Sequence, residues 1–307
     1  MDSFFGQNPL VERRKHMRKL VFIADGQISN RSNSKYDKYI GFTNEMGDER
    51  FAAEGKYYTH EDFAEYIKEI KPQGVVFDFD TQDEFDYIID LICDFVTFIH
   101  LSAKHNQKFD FSSLERCSEL ESIQLYWNTK QDSLWDVKRN QKLKSFEITD
   151  YYQVSDFSAF RGSSIETLCL FGCNGLSSFT SKMHVDDFSF IVDMPCLKEL
   201  RIDIIKDEPS EYYLNLISKC SNLEVFTAPN SFFTFQQFAW LRARMLQIKQ
   251  GLDCVCAYGD NLYAIIGKRT PKMLDDITKT QKYQNRYDLL IKKYTDRIDP
   301  PNDQEKD

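Results

Sequence analysis

Four sets of residues in this 307-residue sequence have the types from which a reactive or metal-binding site is built: Asp78 with Asp80, eight cysteines, five histidines, and the run Gly267-Lys268-Arg269-Thr270. The last has the Gly-Lys of a phosphate-cradling loop. No glycine sits five residues before Gly267, however, and Lys268 is followed by arginine, so the loop pattern fails. His16, His60, His100, His105 and His184 are scattered, and the five-residue spacing of His100 and His105 across a strand end makes no pair. Cys254-Val-Cys256 and Cys169-x-x-x-Cys173 lack the second pair, or the histidines, that a zinc site requires. Cys117-Ser-Glu-Leu120 and Cys220-Ser-Asn-Leu223 share one frame, with Cys196 beside it, which suits a small apolar thiol at a tight turn under a sheet. No Ser/His/Asp or Cys/His arrangement emerges.

The aspartates end an apolar run, Val75-Val76-Phe77-Asp78-Phe79-Asp80-Thr81, and strand alternation places both carboxylates on one face. The run resembles the first motif of haloacid-dehalogenase-type phosphatases. That resemblance implies a nucleophile at Asp78, an acid/base at Asp80 and magnesium held between carboxylates. The family places Thr or Val four residues after the first aspartate, where this sequence has Gln82. No matching acidic pair follows a later strand; Asp186-Asp187 comes after His184-Val185. A magnesium-dependent, phosphatase-like hydrolase using Asp78 and Asp80 is therefore the alternative reading. The plainer one is a pair of solvated carboxylates on the open face of a strand.

The elements that hold these residues follow a recurring frame. Leu120, Ile123 and Leu125, with Asn128 three residues on, read apolar-x-x-apolar-x-apolar-x-x-Asn. Leu143/Phe146/Ile148, Ile165/Leu168/Leu170, Leu197/Leu200/Ile202 and Leu223/Phe226/Ala228 repeat it. Val96/Ile99/Leu101 and Gly74/Phe77/Phe79 fit upstream, and Leu252/Val255/Ala257 is a degraded copy downstream. Each copy predicts a short strand with alternate residues in a core. From Phe77 the middle apolars recur after 22, 24, 23, 22, 32, 26 and 29 residues, and the long step predicts an insertion loop over 177–187. On this pattern the chain resembles a leucine-rich repeat protein. The resemblance implies an α/β solenoid, a short horseshoe or arc in which helices back a parallel sheet. The family's closing Asn, which bonds the bending backbone between repeats, is present only as Asn128. Lys104, Tyr151, Cys173, Ile205, Ser231 and Asp260 stand at the other copies, and Phe often replaces Leu, so irregular curvature and a wide, uneven core are expected.

Around the array, 74–258, lie an N-terminal non-repeat capping region, 1–73, and a C-terminal cap, 259–307. The first comprises a polar start to about Met17, strands at Leu20–Ala24 and Tyr39–Phe42, a loop over 29–34, and a helix opened by a capping box at Thr59–Asp62. That helix buries Phe63, Tyr66, Ile67 and Ile70 and stops at Pro72-Gln73-Gly74. Between strands, Phe85/Ile88/Ile89/Ile92 and Tyr212/Leu214/Leu216/Ile217 have helical spacing, as Phe188/Phe190/Ile191 do in part, while 131–140 predicts only 3₁₀ or single turns. Phe235–Gln250 reads as the longest helix of the array. A hairpin joins 254–258 to 262–266 through Gly259-Asp260-Asn261 and blunts the sheet edge. A helix over 278–297 with Tyr283, Tyr287, Leu290, Ile291 and Tyr294 on one face closes the cap, and a disordered tail is expected from Pro300.

The composition, 42% hydrophobic and 28% charged, excludes a wholly disordered chain. A net charge of −9 repels nucleic-acid phosphates and anionic lipid and suits a basic protein partner. Met1–Leu20 has no apolar signal core, and no run reaches the ~20 residues of a membrane span. The expectation is a cytoplasmic, reduced protein, monomeric or weakly associating, with no cofactor and neither nucleic acid nor membrane as partner. In leucine-rich repeat proteins the residues between the core apolars face the concave binding surface. Here these include Asp78, Asp80, His100, Gln124, Tyr126, Glu147, Thr149, Phe171, Glu199, Arg201 and Asp203, with Trp127 and Tyr151 on the loops just after their strands. Aromatics inside an acidic surround have the composition of a binding hot spot for a basic protein, as in an inhibitor or immunity-type protein. A structural subunit of an assembly is the third reading.

Overall fold

The structure, a computed structural model, describes residues 17–27, 35–43, 57–103, 107–172, 183–257, 262–267 and 272–305. The polar start, the 29–34 loop and most of the 177–187 insertion lie outside them, as do the side chains of the Thr59–Asp62 capping box. The chain divides into two compact units, Met1–Tyr151 and Tyr152–Asp307. Both are α/β, with parallel strands backed by helices and 3₁₀ turns.

In the first unit β1 (Met17–Gln27) and β2 (Lys35–Thr43) pair antiparallel, and β3 (Tyr57–Thr59) joins the other side of β1. Helix α1 (His60–Ile70) ends at Lys71, which takes a left-handed φ of 42° before Pro72. The chain then enters β4 (Gly74–Phe79), which lies parallel to β2. Helix α2 (Gln82–Ile92) follows at once because Thr81 caps it, its hydroxyl accepting the Glu84 N–H at 3.3 Å, with Asp83 and Glu84 in the first turn. Its predicted face, Phe85, Ile88, Ile89 and Ile92, is buried. Strands β5 (Phe98–Ala103), β6 (Ser122–Tyr126) and β7 (Ser145–Thr149) continue the parallel sheet. Among the described residues, only 3₁₀ turns, Ser112–Arg116 and Val137–Arg139, stand between β5, β6 and β7.

The register aligns the apolar positions into rows. Val75, Ile99, Ile123 and Phe146 form one row; Phe77, Leu101, Leu125 and Ile148 form the next, and all are buried. Where a 3₁₀ turn replaces a helix on the back of the sheet, aromatic rings fill the space. Phe79 meets Phe109 at 4.6 Å, Phe85 meets Phe111 at 5.3 Å, and Trp135 bridges Phe111 and Phe146. Each such buried side chain contributes about 1.5–3 kcal/mol of transfer free energy, which accounts for the many phenylalanines.

In the second unit β8 (Thr167–Phe171), β9 (Glu199–Asp203) and β10 (Val225–Thr227) are parallel. The intervening elements are a 3₁₀ helix at Phe188–Asp193 and α3 (Ser210–Ile217), with α4 (Phe235–Arg244) after β10. One device recurs in both units. The residue preceding the first pair of each strand offers a single carbonyl to two successive N–H groups of the next coil. Gln73 receives Thr97 and Phe98, Thr97 receives Glu121 and Ser122, and Glu121 receives Lys144 and Ser145 at 2.8–3.0 Å. Glu166 receives Lys198 and Glu199, and Lys198 receives Glu224 and Val225, at 2.7–3.0 Å.

Three expectations need correction. Helix α4 stops at Arg244, not Gln250; Met245 leaves the helical region, and Arg242 instead bonds the Ile248 carbonyl, so 245–250 forms a return that buries Met245 and Ile248. That return meets β10 through Gln250, bridged to Val225, and meets the residue before β10 through the Lys249 N–H, which donates to the Glu224 carbonyl at 2.7 Å. Gly251 then turns away with φ 98°, where a Cβ would collide with the Phe226 carbonyl. Consequently the Leu252/Val255/Ala257 copy does not extend the parallel sheet. Its strand β11 (Val255–Ala257) forms the expected hairpin with β12 (Tyr263–Ile265) in a separate antiparallel sheet completed by β13 (Lys272–Leu274). Helix α5 (Gln281–Tyr294) buries Tyr287 and Tyr294, and Tyr287 meets Phe235 of α4 at 5.2 Å. Finally, 300–305 is seated rather than loose. Pro300 and Pro301 are buried, Gln237 donates to the Pro301 carbonyl at 3.1 Å, and Arg297 holds Glu305 at 2.7 and 2.9 Å.

Candidate interaction face

On the side of the first unit's sheet opposite the apolar rows, the register makes two polar rows. One runs Val76, His100, Gln124, Glu147; the other runs Asp78, Ser102, Tyr126, Thr149. The first is joined by side-chain hydrogen bonds from His100 to Glu147. Gln124 donates its amide to Glu147 at 3.2 Å and turns its carbonyl oxygen to His100 Nδ1 at 3.0 Å. A carboxylate can only accept, so this chain assigns the Gln124 amide orientation and places the imidazole proton on Nδ1. The His100 ring also stacks on Tyr126, with centroids 6.1 Å apart and planes 29° from parallel.

Tyr126 and Trp127 stand at the end of β6, 38% and 57% exposed. Trp127 takes φ 58°, a left-handed conformation disfavoured for a bulky side chain. Its N–H donates to the Thr149 carbonyl at 3.0 Å, and in the second unit Gly172 makes the same bond to Asp203 at 3.1 Å. Asp150, at the corresponding place after β7, has φ 63°. Aspartate and glycine tolerate such positions; tryptophan has no backbone reason to occupy one.

Not every sequence-derived position reaches the surface. Thr149 is 2% exposed and Tyr151 is wholly buried, its hydroxyl pKa pushed up by that burial, so both leave the set of contact residues. Thr149 keeps its place in register with Tyr126 at the end of β7 and is covered there, while Tyr151 follows the left-handed Asp150 inward. Asp78, Asp80, His100, Gln124 and Glu147 are half-buried. Asp80 donates its N–H to the Glu84 carboxylate in the first turn of α2 at 2.9 Å, and its carbonyl accepts from the Gln107 amide, after β5, at 2.8 Å.

The second unit carries the remaining positions as a separate set. Phe171, Glu199, Arg201 and Asp203 are half-buried, Arg201 pairs with Glu199, and Phe171 lies beside Asp203 in register. Cys169, on the same rows, is buried. Cys117 and Cys220 sit under turns with free thiols, and burial pushes each thiol pKa up to about 12. Among the described residues, no group of three or more His, Cys, Asp or Glu is arranged to hold a metal ion, and no helix is long and apolar enough to cross a membrane.

Amides stitch one coil to the next. Asn128, the closing residue of the repeat frame, is buried, donates to the Gln107 carbonyl at 2.9 Å and accepts from the N–H groups of Lys130 and Gln131; sequence reasoning missed the two that follow. Gln131 both accepts from and donates to the backbone of Phe109, and Asn140 joins Trp135 Nε1 to the Leu114 and Cys117 carbonyls. Comparison with models of known protein families and with curated protein sequences finds no match to this chain.

Proposed function

We propose that the chain is a non-catalytic, cytoplasmic binding protein on a leucine-rich-repeat frame, which holds a basic protein partner against the open sheet face of its first unit. The repeat frame is supported by the apolar rows in register and by the doubly accepting carbonyl at successive strand starts. The observation that carries the binding reading is the exposed pair Tyr126–Trp127, with Trp127 displayed from a left-handed backbone beside the row that ends in Glu147. A rigid aromatic anchor among carboxylates suits lysine and arginine side chains, which stack on the rings and pair with Glu147 and Asp78.

The test is affinity capture from the source lysate with wild type and a Trp127→Gly/Tyr126→Ser variant of unchanged melting temperature. A stoichiometric basic protein retained by wild type and lost with the variant supports the reading. Equal retention by both removes it.

A further inference from the structure

Helix α3 begins without a cap of its own, because Pro209 occupies the N-cap position and offers no side-chain acceptor. The cap comes from 93 residues downstream. Ser210 donates its hydroxyl to Asp303 Oδ1 at 2.6 Å and its N–H to Oδ2 at 3.4 Å. Gln237, wholly buried on α4, gives its amide to that carboxylate and to the Pro301 carbonyl, both at 3.1 Å. Further along α4, Trp240 Nε1 donates to the Arg297 carbonyl at 3.2 Å and Gln236 to the Glu305 carbonyl at 3.5 Å.

In these bonds the α3–α4 groove donates. Three of them read backbone carbonyls, which any extended peptide supplies, and three read one carboxylate. Pro300 and Pro301 fit the stretch between these points as buried, preshaped chain. Beside Asp303 a cleft of about 430 Å³, lined by Lys206, Ser231, Phe232, Phe233, Thr234 and Gly267, adjoins the groove. Lys206 lies 5.4 and 5.7 Å from the centroids of Phe232 and Phe233 and bonds Ser210 Oγ at 2.7 Å.

The geometry points to a peptide-binding groove on α3 and α4, occupied in cis by 299–305. Its ligand is a partner protein's acidic segment carrying prolines two and three residues before an aspartate, which binds by displacing the strap. A groove with buried Ser210 and Gln237 is costly to leave empty, so one acidic segment replaces another. A second copy of this chain would bring the same segment and gain nothing over the tethered strap. A partner segment that also enters the cleft gains contacts the strap does not make. The site belongs to the second unit and does not rest on the aromatic face of the first.

The test uses the full chain and a fluorescent synthetic peptide with the sequence of residues 298–307. Asp303→Asn in the chain removes the cis carboxylate. Arg297→Ala loosens the strap by removing its hold on Glu305 and on the Asp299 and Pro300 carbonyls, while leaving the groove wall intact. Both variants, confirmed folded by near-ultraviolet circular dichroism, are expected to bind the peptide at least tenfold more tightly than wild type does. A peptide with asparagine in place of its Asp303 equivalent is expected to bind at least tenfold more weakly. Absence of saturable binding by both folded variants, or equal binding of the aspartate and asparagine peptides, overturns the proposal.

Discussion

Trp127 and Trp135 lie eight residues apart and have opposite physical settings. Trp135 is 4% exposed, wedged between Phe111 and Phe146, with its Nε1 donating to Asn140 at 2.7 Å. Trp127 is mostly exposed and sits where the chain turns left-handed. For a non-glycine residue that conformation costs about 1–2 kcal/mol, while glycine loses about 0.5–1 kcal/mol more to chain entropy on folding. Trp127→Gly is therefore expected to change unfolding free energy by less than about 1 kcal/mol, while the proposed partner affinity falls at least about tenfold, as for a central aromatic anchor. Trp135→Ala is expected to cost about 3–5 kcal/mol. Denaturant titration of the two variants beside a binding assay separates the roles. A Trp127→Gly protein that unfolds easily would make the indole a structural prop and remove the basis of the binding argument.

Between elements, stability is carried by amides that no local pattern announces. The strands were legible because their apolar residues recur at fixed spacing and alternate faces, and α2 was legible from its four-residue stripe. The connector over 131–140 was legible only as a short turn, borne out by the 3₁₀ turn at Val137–Arg139, and its tethers were not legible, because Gln131 and Asn140 have partners 22 and 26 residues away. Both side chains are about 1% exposed. Replacing either with alanine strands buried partners on the neighbouring coil, and a loss of about 1–3 kcal/mol is expected for each. Denaturant midpoints within error of wild type would show that water replaces these amides. The same blindness to distance made 300–305 look loose, since its anchors Ser210 and Gln237 lie far back in the sequence. Burial opposes ionisation of Asp303, but hydrogen bonds from Ser210 and Gln237, helped by Lys206, hold its carboxyl below the ordinary carboxylate range. Arg297 does the same for Glu305. A depressed folded-state pKa means that the stabilisation is complete above the ordinary range, near 4. It is lost as pH falls through the depressed values. The strap is expected to loosen in that acid window, and Asp303→Asn to flatten the response; fluorescence changes assigned to Trp240 by comparison with Trp240→Phe report it.

At the scale of the whole chain the governing quantity is charge. The net value of −9 says little about fold and much about encounter, because summed charge steers oppositely charged partners over about a Debye length. Sequence could supply this sign and the acidic positions Asp78 and Glu147, but not which aromatic neighbours remain at the surface. That depended on the turn after each strand, which leaves Trp127 outside and takes Tyr151 into the interior. Charge and aromatics should therefore act on different steps of association with the proposed basic partner. Asp78→Asn/Glu147→Gln removes two half-buried carboxylates without altering side-chain size, so the association rate is expected to fall several-fold and to lose part of its salt dependence, with dissociation changing less. Trp127→Gly is expected to do the reverse, shortening the lifetime of the complex while leaving the salt slope of association intact. Stopped-flow or surface-based kinetics between about 50 and 300 mM salt, a range over which screening changes strongly, distinguishes them. If both variants change only dissociation, the carboxylates act as direct contacts; if neither changes either rate, the partner uses another surface.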